Sequence, residues 1–128
     1  MKFLSCLLIL TIFLFSCASQ KQWVQTDLYF GMAKPDGSMI ADSSWNQFVA
    51  RHISNVFRDG FTEIKAEGKW LDTLTKQIIS EPSHVIIVIN KMTRRLSADI
   101  DSLINAYKAI FQQQAVLRVD KKVLSISF

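Results

Sequence analysis

Five side chains carry the chemistry this sequence could perform: Asp27, Tyr29, Trp70, Glu81 and Arg118. An acid, a phenol, a second acid and a guanidinium converging on one surface would bind a small polar ligand, an anionic one through the donor fork of Arg118. If one acid stays unpaired in a cavity, the same set suits a cofactor-independent enzyme. The plainer alternative is structural: Asp27 or Glu81 pairs with Arg118 across neighbouring strands. Trp70 follows Gly68 by two residues, so it is either a stacking platform above the space the glycine leaves or a core aromatic.

Other candidates are weaker. His52 falls on an apolar helical stripe, where a buried histidine with a backbone partner is expected. His84 precedes an apolar run and is expected to be accessible. Two histidines without a spaced acid cluster make a poor metal site, so no metal is expected. Asp99 and Asp101 fit the positive end of a helix. G-x-S-x-G, Walker, dinucleotide-binding and H-E-x-x-H motifs are absent from the sequence, and no cofactor is expected.

The N-terminus reads as an address. Lys2 precedes an apolar run from Phe3 to Phe15, broken only by Ser5 and Thr11. As a helix that run spans about 20 Å, short of a ~30 Å hydrocarbon core. It suits a signal peptide over residues 1–16. Leu14-Phe15-Ser16-Cys17 is similar to a bacterial lipobox, which makes Cys17 the lipidated residue; an ordinary secretory leader is the alternative. Processing there discards Cys6 and acylates Cys17, leaving no thiol for a disulfide or a nucleophile. Several acyl chains anchor the chain durably. Residues 17–22 form a tether reaching about 20 Å. Ala18, rather than Asp, after the Cys favours the periplasmic face of an outer membrane where the cell has one.

The 128 residues, 49% hydrophobic and 20% charged, suffice for one domain, placed at 23–128. With only 4 Gly and 2 Pro, a disordered or fibrous chain is excluded. The net charge of +4 is scattered, which argues against a nucleic-acid partner.

These residues need elements to position them. Alternation predicts a strand over 24–32, with Asp27 and Tyr29 on the face opposite Leu28 and Phe30. Trp45, Phe48, Val49, His52, Ile53, Val56 and Phe57 form a helical stripe that starts near Asp42 or Ser43 and ends at Gly60. A strand over 61–71 places Glu63, Lys65, Glu67 and Lys69 on a solvent face, as on a sheet edge. The strand over 78–90 is apolar on both sides at 85–89 and thus central, with a bulge or break at Pro82. A second helix starts at Ser97 and buries Ile100, Leu103, Ile104, Tyr107 and Phe111. A strand at 115–119, a turn at 120–122 and a short extra C-terminal strand at 123–128 close the chain. The order β-α-β-β-α-β predicts an α+β, ferredoxin-like sandwich, two helices on one face of a mostly antiparallel sheet.

Set along these elements, T-D-L-Y-F-G at 26–31, K-P-D-G at 34–37, Trp45 with Phe48, F-R-D-G-F-T at 57–62, G-K-W at 68–70, Glu81, Tyr107 with Phe111, V-L-R-V at 116–119 and Phe128 carry a likeness. The chain resembles the bacterial domain-of-unknown-function family DUF3574. Arg58 stands where that family usually has Pro, and Pro82 follows the Glu. The resemblance implies a fold and names no reaction. It also implies a secreted or lipid-anchored protein, in keeping with the leader.

The expected function is a lipid-anchored binding or structural module of the cell envelope. The alternative is a cofactor-independent enzyme with a cavity on the open sheet face. Since helices cover one face only, the apolar central strand requires a cover, either the C-terminal strand or a second copy in a homodimer. The expected partners are therefore the membrane, an unidentified small molecule and a second copy of the chain.

Overall fold

In β1, Trp23–Gly31, the even-numbered side chains turn one way and the odd-numbered the other, and this alternation sets the architecture. Leu28 and Phe30 are fully buried beneath the helices. A computed structural model describes residues 22–127, so the expected signal peptide, Cys17, most of the expected tether and Phe128 lie outside the described residues.

The helical run α1 comprises an α-helical start, Asp42–Phe48, a π-helical turn, Val49–Ile53, and a closing turn, Ser54–Val56. Strands β2, Thr62–Leu71, and β3, Ile78–Lys91, form a hairpin. Helix α2, Arg94–Phe111, leads to β4, Leu117–Lys122. The sheet order is β2-β3-β1-β4 with every pair antiparallel, which is the expected ferredoxin-like α+β sandwich. Phe30 centres the core, 4.7 Å from the Tyr107 ring and 5.4 Å from that of Trp45. Such tilted and edge-on aromatic pairs add to the stabilisation from area burial.

Several local expectations change. The π turn spaces the buried residues Phe48 and Ile53 five apart, so His52 leaves the core line. His52 is half-buried and stacks on Phe48 at 4.8 Å instead of being buried on a backbone partner. Helix α2 begins one turn before Ser97, because Thr93 caps it by accepting from the Leu96 amide at 3.0 Å.

Pro82 neither breaks nor bulges β3. Its carbonyl accepts from Met32 N at 2.9 Å, and the Met32 carbonyl, which a donor at position 82 would engage, takes Ile40 N at 2.8 Å instead. The missing N–H thus leaves no orphan acceptor. At the C-terminus, Asp120 to Lys122 do not turn; they pair with Thr26, Gln25 and Val24. No further strand forms over residues 123–127. Nothing from that segment therefore adds a strand over the open face.

Candidate functional site

Register separates the five candidate residues. Asp27 pairs with Ile87 and Val119, and Tyr29 with Val85 and Leu117, all on the open face. Arg118 lies opposite Leu28 and therefore points to the helix side. There it donates to Asp101 at 2.8 Å and to the Ser97 hydroxyl at 3.1 Å, and it pairs with Asp120 at 2.9 Å. Arg118 thus locks β4 to α2 and cannot join Asp27 or Glu81, which corrects the expected grouping. Even and odd positions of a strand address opposite faces, and residue 118 has the parity of Leu28.

Asp27 has another partner. Its carboxylate, almost fully buried, accepts from Lys121 Nζ at 2.6 Å and from Gln25 at 2.8 Å. Burial pushes the Asp27 pKa up, but the bonds from Lys121 and Gln25 and the Lys121 charge outweigh it and hold the carboxyl below its ordinary range. The pair expected as a structural alternative, Asp27 or Glu81 with Arg118, does not form; Asp27 pairs across the strands with Lys121 instead. Reading residues 120–122 as a turn hid it.

Tyr29, Trp70 and Glu81 do come together. They line an open-face cleft of about 540 Å³ with Gly31, Ser80, Ser83, Lys34, Gln113 and Gln114. That volume is in the range of small-molecule sites. The cleft exists because the sheet surface is short of side chains there. Glu81 sits directly across from Gly68 on β2, and its carboxylate lies against Gly31 on β1, where any Cβ would collide with it. Trp70 is 48% exposed, so it walls the cleft instead of joining the core.

Beneath the cleft, Tyr107 donates its hydroxyl to the Gly31 carbonyl at 2.7 Å. Burial, and secondarily the Glu81 charge, raise the Tyr107 pKa far above the ordinary phenol value. The phenol therefore stays protonated and holds the floor in place. Among the described residues, no side chain or backbone group donates to the Glu81 carboxylate, and no base stands within 4.0 Å of it (the ion pairs fall elsewhere).

His84 is not accessible. It faces the helices at 5% exposure, with Nδ1 2.5 Å from a Glu63 oxygen that also accepts from Trp45 Nε1 at 2.7 Å. The alternation of β2 sends Glu63 to the helix side, where Trp45 and His84 can reach it. Among the described residues, no group of three or more His, Cys, Asp or Glu side chains is placed to hold a metal ion.

The sequence of residues 25–128 matches the model of the family described as "Protein of unknown function (DUF3574)", and the chain belongs to that family. None of the curated proteins matches it. Two solved structures share its fold. A phage SAM lyase in complex with S-methyl-5'-thioadenosine superposes with a TM-score of 0.57 at 13% identity, covering 79% of this chain and 81% of that one. A phage SAM lyase in its apo state gives 0.57 at 15% identity, covering 81% and 83%. At these identities the likeness concerns the fold alone.

Proposed function

We propose that this protein is a lipid-anchored small-molecule-binding module of the bacterial cell envelope, with its ligand in the cleft between Tyr29, Trp70 and Glu81. The unpartnered Glu81 carboxylate, lying against Gly31, carries this reading. A carboxylate that lines a cleft without a protein partner keeps its charge and its hydrogen-bonding capacity for a ligand. The anchor rests on Leu14-Phe15-Ser16-Cys17 and the apolar leader. An outer-membrane, periplasmic-facing location follows from Ala18.

A second reading makes the same cleft the active site of a cofactor-independent enzyme. It is favoured by the fold-level likeness to a phage SAM lyase that binds S-methyl-5'-thioadenosine, together with an acid and a phenol in one cleft. In this reading a homodimer would close the cavity, sheet to sheet, over Ile64, Ile89 and Leu117, which are 45%, 48% and 59% exposed.

Calorimetry of the purified protein with S-methyl-5'-thioadenosine and with SAM, followed by chromatography of the SAM sample, tests both. The binding module predicts heat of binding that Gly31→Val abolishes, because the added side chain displaces Glu81, with SAM recovered intact. Conversion of SAM by the wild type but not by Gly31→Val supports the enzyme. Heat that survives Gly31→Val contradicts this placement of the site.

A further inference from the structure

We propose that the cleft over Gly31 takes an organic cation, with Glu81 as counter-charge and the Trp70 and Tyr29 rings as walls; this rests on the binding role proposed above. The acids of the four strands carry the inference. Asp27 is held by Lys121, Glu67 by Lys69, Asp120 by Arg118, and Glu63 by His84 and Trp45. Glu81 is the remaining strand acid, and it has no partner among the described residues. It is also the strand acid set where the sheet is stripped of side chains, against Gly31 and across from Gly68.

A carboxylate in a partly enclosed cleft is screened less than one in bulk water, so its attraction for a positive group is stronger there. The cleft walls suit the same ligand. An indole and a phenol present negative π-faces, which favour ammonium and sulfonium groups that carry alkyl substituents and shed water readily. Trp70 and Tyr29, 48% and 38% exposed, leave ring surface free for such a group. Lys34 also lines the cleft but stands beyond ion-pair distance of Glu81, so the carboxylate is not neutralised from within. The Ser83 hydroxyl adds a polar contact for the rest of the molecule.

A matched pair of probes isolates the charge: choline and 3,3-dimethylbutan-1-ol, which differ by a cationic nitrogen in place of a carbon. Each is titrated into the purified protein while the backbone amides of Gly31, Ser80 and Ser83 are followed by NMR. Choline is expected to bind about tenfold more tightly than the alcohol. Glu81→Gln is expected to erase that preference while leaving the amide spectrum folded and the affinity for the alcohol unchanged. Equal binding of the two probes, a preference that survives Glu81→Gln, or no choline response would each overturn the inference. S-methyl-5'-thioadenosine, uncharged at sulfur, separates this from the broader reading. If it shifts the cleft amides while choline does not, the cation falls and the binding module stands. If none of the three probes shifts them, both fall.

Discussion

At the scale of single residues, the site depends on what is missing as much as on what is present. Gly31 lets Glu81 lie down against β1, and Tyr107 holds the same peptide from below through the Gly31 carbonyl. Tyr107→Phe removes that donor and leaves a carbonyl in the core without its bond. The expected loss is about 1–3 kcal/mol, read as a lower urea midpoint at unchanged slope. An unchanged midpoint would mean that water replaces the phenol, and the cleft floor would not be fixed from the core. The candidate residues were legible as types but not as a set. Tyr29, Trp70 and Glu81 meet, whereas Arg118 and Asp27 each have a separate, satisfied partner. A one-residue difference in parity moved Arg118 to the opposite face, and no composition or motif signal reports parity when strand ends are uncertain.

At the scale of elements, hydrophobic period was the most readable signal. The stripe of α2 and the doubly apolar run of β3 both appear where their spacing puts them, with Ile100, Leu103, Tyr107 and Phe111 buried and Val85, Ile86 and Val88 at the sheet centre. Element ends were less readable, because they are set by single hydrogen bonds. Thr93 starts α2 a full turn before Ser97, where the sequence places its beginning. Thr93→Ala should cost about 1 kcal/mol and leave the cleft intact. A thermal melt checks the first part and ligand titration the second; a wild-type melt would make the cap incidental. The π turn in α1 was invisible to a stripe analysis, since Ile53 and His52 both fit a helical period until an extra residue is inserted between Phe48 and the next buried position. The end of β4 was misplaced because Asp120-Lys121-Lys122 has the composition of a turn, yet its residues are paired across to β1.

At the scale of the whole molecule, that extension of β4 matters for stability. It brings Lys121 to Asp27 and ties the edge strand to the middle of the sheet. The Asp27 carboxyl titrates below its ordinary value of 3.8, so its contribution is present above that pH and is lost as pH falls through the lowered value. The Lys121 ammonium titrates above its ordinary 10.5, by its bond to Asp27 and then by the Asp27 charge. Its contribution is present below that pH and is lost as pH rises through the raised value. Stability measured against pH should therefore show a plateau between acid and alkaline losses, and Asp27→Asn should flatten both flanks. Flanks that persist in the variant would assign the pH dependence to other groups. The proposed lipid anchor belongs to this scale as well. Metabolic labelling with a radioactive fatty acid should mark the wild type and not Cys17→Ser, whereas labelling of both would remove Cys17 as the attachment point.

The most direct measurement is native mass spectrometry of the protein, purified without denaturation and then offered choline and S-methyl-5'-thioadenosine together. The cleft reading predicts a reproducible added small mass on the wild type, either carried through purification or acquired from one of the added compounds, and a bare mass for Gly31→Val. A wild type that stays bare in both conditions, or an adduct that persists when the cleft is filled, would contradict it.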